Sequence, residues 1–477
     1  MELRLVLKNA AALSVASVLS KAISAVVGIA VTRYLGPETF GEYSVALAFV
    51  STFILFADFG LSNYMVQEGS RDESVLPLYL GNTLLFKAFT LLVIYALLLI
   101  LMHPAGYNKS IQSMIIVFGI ASGLNALNST VYNYFQAKQQ MYFAAFYQFL
   151  STFLIGALTI LVVVKQGNVV MITVSQLVTA VLISFLLYGH LRLRIHLEFN
   201  LHHLRGMLKR GLPYGMAVIF LYIYFQIDMF MLSLMRSTTE VGIYSAAYRL
   251  ISILLFIPGI LTSVLYPILF QLGVESKKKH QGTIEKIFKV LSAVGIPGSV
   301  LLFILANPLL TWLYNDRFPQ SIPIMMLLSW FFALECLSFS LGDVLTTTNR
   351  QWTRAKIQGS AALLNIAMNL YAIPHYGIYG ASVATLITEL YVFALYYGIV
   401  RTQVYKIKIW RQLPVIVLAS IAMGFTAYLL RDLQPLVAAA LAGILYLIIL
   451  ISLDKDFRRI GGYVVGLVTR RFRTIKK

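Results

Sequence analysis

Apolar runs of about 20 residues, separated by short polar connections, recur from one end of the chain to the other. A run of that length crosses the hydrocarbon core of a bilayer as a helix. Fourteen such segments are predicted, at about 10–32, 40–62, 80–102, 112–135, 142–164, 169–191, 211–235, 241–270, 289–311, 322–346, 354–374, 378–399, 413–430 and 436–453. Runs fuse at 142–191 and 354–399, which leaves counts of twelve or thirteen open as well. The predicted fold class is an all-α polytopic membrane protein. The first run is interrupted by Lys21 and no small-residue cleavage site follows it, so it reads as a retained span and not a signal peptide.

Two stretches about 200 residues apart read alike: Gly41-Glu42-Tyr43-Ser44-Val45-Ala46 and Gly242-Ile243-Tyr244-Ser245-Ala246-Ala247. Each follows a short polar connection and opens an apolar run. An even number of crossings separates them, so the repeat is parallel, with its axis along the membrane normal, an arrangement that belongs to transporters. The expected organisation is an N-terminal six-helix lobe over 1–191 and a C-terminal six-helix lobe over 211–399. Between them, 192–210 mixes basic and apolar residues, as an interfacial amphipathic linker or a basic topogenic loop would. An accessory helix pair is expected over 400–453 and a basic tail over 454–477.

Composition agrees with the pattern: 59% of residues are hydrophobic and 12% charged, against about 45–50% and 25% in soluble domains. The net charge of +19 would suit a nucleic-acid binder, but its placement argues otherwise. On one side of the membrane the connections carry only Arg33, Lys109, Lys165, Arg236, Arg317 and Arg431. Nearly all the remaining cations lie on the other, which by the positive-inside rule is the cytoplasm and holds both termini. The tail, with Arg470-Arg471-Phe472-Arg473, is expected against anionic lipid headgroups. One cysteine, Cys336, excludes a disulfide framework.

Catalytic signatures are missing: there is no phosphate loop, no HExxH and no nucleophile elbow. Asp454-Lys455-Asp456 has the form of a nucleotide-sugar metal motif, yet it follows the last span with no domain to carry it, and reads as a juxtamembrane charge cluster. The chain is expected to be no enzyme and to need no cofactor. Its energy source would be an ion gradient, H+ or Na+, or the membrane potential.

A charge at mid-membrane costs roughly 2.5–3.5 kcal/mol. Eight are candidates for such a position: Lys21, Asp58, Lys87, Asp228, Arg249, Glu335, Asp343 and Glu389. Facing lipid they would together cost on the order of 20 kcal/mol, so they are expected to face water or one another. Asp228 and Arg249 flank one short turn at about 12 Å depth, as a pair locking the hairpin or as a cavity pair in which Arg249 exchanges its carboxylate for a substrate phosphate. Lys21 lies midway along its span. Lys87 lies nearer the cytoplasmic side, where cavity lining and snorkelling both suit it. Glu335 and Glu389 sit at mid-span as candidate proton-coupling carboxylates, with inter-helix hydrogen bonding the alternative. Asp58 and Asp343 lie towards span ends, where interfacial solvation is expected.

The segments Thr32-Arg33-Tyr34-Leu35-Gly36-Pro37-Glu38-Thr39-Phe40-Gly41-Glu42-Tyr43 and Phe56-Ala57-Asp58-Phe59-Gly60-Leu61 resemble the N-terminal signature of bacterial polysaccharide (O-antigen-type) flippases. Similar too are Gly211-Leu212-Pro213, Asp228, the run from Val241 to Arg249, and Gly377-Ile378-Tyr379-Gly380-Ala381. The resemblance implies the fold of the multidrug/oligosaccharidyl-lipid/polysaccharide exporter superfamily, two six-helix lobes around a cavity, often with two further C-terminal helices. It implies translocation of polyprenyl-pyrophosphate-linked glycan across the bacterial cytoplasmic membrane, with membrane lipids, a polysaccharide polymerase and glycosyltransferases as partners. By position, Arg33 and Arg249 become substrate-binding candidates, and Asp58 and Asp228 gating or ion-coupling candidates. Lys21 and Lys87 as substrate-binding residues, and Glu335 and Glu389 as coupling residues, come from topology. Competing readings are a drug/cation antiporter or peptidoglycan-precursor flippase of the same superfamily, and a membrane polysaccharide polymerase or ligase. The last is disfavoured because no outer connection exceeds about ten residues.

Overall fold

The computed structural model describes residues 3–192 and 198–459, and no strand occurs among the described residues. Helix α1 (Leu3–Ile54) carries the first two expected spans in one run, broken at Gly36 (φ 75°, ψ 175°). Glycine alone adopts that conformation readily, and Pro37 restarts the helix with its fixed φ. At Phe59 (φ 47°) and Gly60 (φ 81°) the chain turns left-handed into the short α2 (Leu61–Gly69). Next come α3 (Leu76–Leu101) and α4 (Lys109–Ala137), the latter capped by Asn108, whose side chain accepts from Ile111 N at 2.9 Å. The fused run 142–191 resolves into α5 (Met141–Val164) and α6 (Val169–Arg192). Gln166 (φ 54°) ends one, and the Asn168 side chain accepts from Met171 N to begin the other.

Helix α7 (Leu201–Met235) is capped by Asn200 and bends by 50° between Leu201–Phe220 and Tyr222–Met235. Of the expected linker, 193–197 lie outside the described residues, whereas 201–210 are the first turns of α7. They dock through Leu204, Met207 and Leu208 onto Leu61 and Tyr64. The chain continues through α8 (Thr238–Leu254), α9 (Phe256–Glu275), α10 (Lys277–Ile304), the short α11 (Ala306–Tyr314) and α12 (Ser321–Thr347). Helix α13 (Gln351–Ile399) holds two expected spans broken at Gly377 (φ 57°, ψ −136°), and α14 (Pro414–Leu429) and α15 (Pro435–Leu453) follow.

Among the described residues ten helices are long and apolar enough to cross a membrane, eleven with the bent α7. The apolar stretches Ala16–Ala57 (42 residues) and Gln351–Val404 (54 residues) each exceed one crossing of about 30 Å at 1.5 Å per residue, and α14 is a shorter apolar helix. This accommodates the fourteen expected segments. The expected tail lies outside the described residues from 460 onward.

The chain forms two compact units, Met1–Arg249 with Gln358–Ala381, and Leu250–Ile357 with Ser382–Lys477. Met65, Leu80, Tyr134, Phe135 and Leu187 anchor one core of the first. In the second, Ala419, Met423 and Ala427 of α14 meet Ala438 and Ala442 of α15 against α10. Small side chains let the helices approach closely, which matters where lipid supplies no hydrophobic drive between them. Tyr446 donates to the Ala293 carbonyl at 2.9 Å, and Lys289 of α10 reaches Asp454 and Asp456 beyond α15 at 2.7 Å each. The lone thiol of Cys336 is fully enclosed within α12.

Candidate functional site

The repeated motifs explain how Arg249 is positioned. A Cβ at Gly41 would stand 1.8 Å from the Thr238 carbonyl oxygen, and one at Gly242 would stand 1.9 Å from that of Pro37. Here α1 and α8 touch backbone to backbone, which no side chain larger than hydrogen permits. Matching motif positions share one fate: Tyr43 and Tyr244, Ser44 and Ser245, Ala46 and Ala247 are all buried. Two turns beyond this crossing, Arg249 Nη1 donates to the Gly28 carbonyl at 2.8 Å and to Thr32 Oγ1 at 3.4 Å. Its guanidinium lies 5.3 Å from the centre of the Phe40 ring, within cation–π range.

Lys21, Gly28 and Thr32 are seven and four residues apart, which places them within about 40° of one another around α1. Lys21 is exposed on that face and Arg249 is half-buried against it. The two cations therefore share one side of α1, about 10 Å apart along its axis. Arg33 is also exposed but is turned about 120° away from Lys21.

The side chain of Asp228 is buried and accepts from Asn369 Nδ2 of α13; Asn369 Nδ2 also reaches Asn365 Oδ1 at 2.9 Å. Asn369 Oδ1 is enclosed with no hydrogen-bond donor among the described residues. One carboxylate and two carboxamides are thus gathered in a buried setting, with Asn369 Nδ2 bridging the Asp228 and Asn365 oxygens. Asp228 is held from α13 and Arg249 from α1.

Lys87 is enclosed instead of lining open space. Its ammonium is 2.5 Å from Asp58 and donates to Thr130 Oγ1 at 2.7 Å, to Ser62 Oγ at 3.2 Å and to the Ala126 carbonyl at 3.2 Å. Four acceptors satisfy an ammonium fully. Asp58 in turn accepts from Ser62 N and Oγ, which fixes the left-handed corner at Phe59 and Gly60. That corner packs on α7 so tightly that a Cβ at Gly60 would meet the Gly211 carbonyl at 2.2 Å. Lys87 and Asp58 act together as the pin of this corner.

In the second unit Glu335 and Glu389 are both buried. Asp343, for which interfacial solvation was expected, is completely buried: it accepts from Tyr266 OH at 2.6 Å and from Arg354 Nη1 at 3.3 Å. Sequence reasoning missed Arg354, because it lies at a span boundary and counts there as an ordinary loop cation. Its spacing of eleven residues from Asp343 across a tight turn was the available signal. Among the described residues, no three His, Cys, Asp or Glu side chains converge to hold a metal ion.

Apolar helices of membrane-crossing length with charges buried in pairs among them define a multi-pass membrane protein, and its relatives make it a transporter of the multidrug/oligosaccharidyl-lipid/polysaccharide exporter superfamily, not an enzyme. Residues 6–273 match the family described as "Polysaccharide biosynthesis protein", and the chain belongs to that family; residues 213–371 also match the MatE family. A "Putative O-antigen transporter" of Escherichia coli (strain K12) is 23% identical over 382 residues, 77% of this chain and 90% of the relative. A "Probable low-salt glycan biosynthesis flippase Agl15" of Haloferax volcanii is 22% identical over 35% of this chain and 36% of the relative. The fold is similar to that of "Lipid II flippase MurJ, inward closed conformation", with a TM-score of 0.79 and 16% identity over 93% of this chain and 99% of that one. An inward-facing multidrug resistance MATE family transporter follows with a TM-score of 0.62 and 14% identity, over 80% and 96%.

Proposed function

We propose that the protein translocates a polyprenyl-pyrophosphate-linked oligosaccharide from the inner to the outer leaflet of a bacterial cytoplasmic membrane, by alternating access and with both termini in the cytoplasm. The observation that carries this reading is the shared face of α1, where Lys21 and Arg249 present two cations within one unit of a chain built for the bilayer. A pyrophosphate-linked sugar does not cross hydrocarbon unaided, because its charges and hydroxyls would lose their water. A cationic helix face gives the pyrophosphate a partner while the prenyl chain stays in lipid. The guanidinium of Arg249 offers forked donors that match phosphate oxygens, and the Gly28 carbonyl and Phe40 ring hold it ready for them. Rocking between repeats then exposes the headgroup on the other side. Asp228 with Asn365 and Asn369 is the proposed seat of a coupling ion, H+ or Na+. A polymerase and glycosyltransferases are the proposed partners on either side of the step.

The test is appearance of fluorescently labelled lipid-linked oligosaccharide on the outer leaflet of proteoliposomes. Arg249→Ala is expected to abolish it while insertion and thermal stability are retained; normal flipping by that variant would overturn the assignment. Similarity to MATE transporters supports a second reading, export of amphiphilic cations. The two cations at the α1 face, Lys21 and the Arg249 of α8, disfavour it, and dye efflux by the wild type with no glycan flipping would select it. Flipping of a peptidoglycan precursor in preference to the oligosaccharide would select the substrate named for the MurJ neighbour instead.

A further inference from the structure

The second unit holds a cluster of charges that substrate binding on α1 leaves unused. On α12 it comprises Glu335 and Asp343, and on α13 Arg354, Glu389 and Tyr396; Tyr266 of α9 closes it. Asp343 Oδ1 is occupied by Tyr266 and Arg354, but its Oδ2 is enclosed and receives no hydrogen bond among the described residues. The buried hydroxyl of Ser338, one turn from Glu335, likewise has no partner there. Gly342 is what lets the groups close in, since a Cβ at that position would stand 3.1 Å from the Tyr396 ring and 3.3 Å from the Arg354 guanidinium carbon. Glu335 accepts no hydrogen bond among the described residues, and it lies within electrostatic reach of Arg354. Tyr396 lies within electrostatic reach of Arg354, Glu389 and Glu335 together, which ties the cluster into one system.

We propose that Glu335, Asp343 and Glu389, linked through Arg354 and Tyr396, form a proton-binding site that holds two protons at neutral pH and exchanges them with water during the transport cycle. The count follows from charge. Three buried carboxyls share with one guanidinium the cluster that Tyr396 links, and a net excess of negative charge in a membrane-spanning unit is costly, so two carboxyls carry protons when the site is closed. Asp343 is the one that stays ionised, because it alone receives the Arg354 and Tyr266 hydrogen bonds. A proton taken from water forms an O–H bond on a Glu335 or Glu389 oxygen, converting an acceptor into a donor, and returns to water when that bond breaks. A proton needs one oxygen, whereas a metal ion needs several that converge, and these carboxylates are spread along two helices.

Other titratable groups bordering the cluster are Cys336 beside Glu335, and His280 of α10. His280 bonds Thr347 Oγ1 at 2.9 Å and Tyr405 OH at 3.1 Å. The Arg354 side chain is 21% accessible, the point at which the site meets its surroundings. Coupling to transport rests on the flippase reading above; proton binding itself does not.

Infrared spectroscopy of the full chain in detergent reads protonated carboxyls directly. At neutral pH the wild type is expected to show their C=O stretch, and Glu335→Gln and Glu389→Gln each to lose about half of it. Asp58→Asn should leave the band unchanged. Arg354→Gln should raise it by about half, since the third carboxyl then also needs a proton. Glutamine copies the protonated side chain, so these variants should insert normally; should one not, the wild-type band and the Arg354→Gln gain still decide. No protonated-carboxyl band, a band indifferent to both glutamines, or one removed by Na+ at constant pH would each overturn the proposal. Flipping that ignores the pH gradient despite the expected band changes would overturn the coupling and leave the flippase reading intact. The expected bands in a protein that flips no glycan would refute that reading and keep the proton site.

Discussion

Gly41→Ala tests the claim that backbone contact between the repeated motifs sets the position of Arg249. The added methyl would lie 1.8 Å from the Thr238 carbonyl oxygen, so α1 and α8 must separate by about 1.5 Å to reach ordinary contact. Neither atom is a flexible side-chain end, and the strain is that of an overpacked core, about 1–3 kcal/mol. Separation also stretches the bonds from Arg249 to Gly28 and Thr32, at about 1.5–3 kcal/mol for bonds to a charged donor. The combined loss, on the order of 3–5 kcal/mol, corresponds to a fall in Tm of roughly 5–15 °C. The assay is thermal unfolding in detergent together with the flipping measurement. Gly443→Ala is the control, because a Cβ there meets nothing and helix propensity favours alanine. Flipping in Gly41→Ala should fall more than the loss of folded protein explains. If Gly41→Ala matches the wild type in both Tm and flipping, the crossing does not place Arg249 and the argument fails.

Lys87→Met should cost about 3 kcal/mol by stranding Asp58, and Lys87→Met with Asp58→Asn should recover much of it; thermal unfolding of both variants checks this. Lys289→Ala should loosen α14 and α15 from α10, seen as faster proteolysis after residue 413 in a chain that otherwise stays folded. That tie is also pH-dependent. Desolvation pushes the Asp454 carboxyl up, but the Lys289 bond and the amides of Phe457 and Asp456 outweigh it and hold it below the usual carboxylate range. Its stabilisation is therefore complete above about pH 4 and fades as pH falls further, so the proteolysis difference between Lys289→Ala and wild type should shrink in acid. Asp228→Asn should lower flipping and its response to the ion gradient; unchanged transport with a lowered Tm would leave Asp228 a purely structural role.

Much of this was legible in one dimension, because the bilayer imposes a length on each helix and a price on each charge inside it. The fused run 142–191 hid its break because Gln166 and Asn168 end and start helices through conformation and capping, which hydropathy barely registers. Arg249 was singled out as a candidate from its depth, yet its docking onto Gly28 depends on two distant glycines meeting. The enclosure of Lys87 was hidden for a related reason: its four partners come from α2, α4 and the corner before α2, so only the fold shows a pinned ammonium. Arg354 and Asp343 were each treated as boundary charges, and burial came from packing by α9 and α13 that no local pattern announces.

The sequestered thiol of Cys336 has a practical corollary. With a single native sulfhydryl, and that one shut inside α12, a cysteine introduced at the exposed Lys21 would be the first position a polar maleimide meets. The natural chain thus serves as its own blank background for mapping, state by state, when the α1 face opens to water.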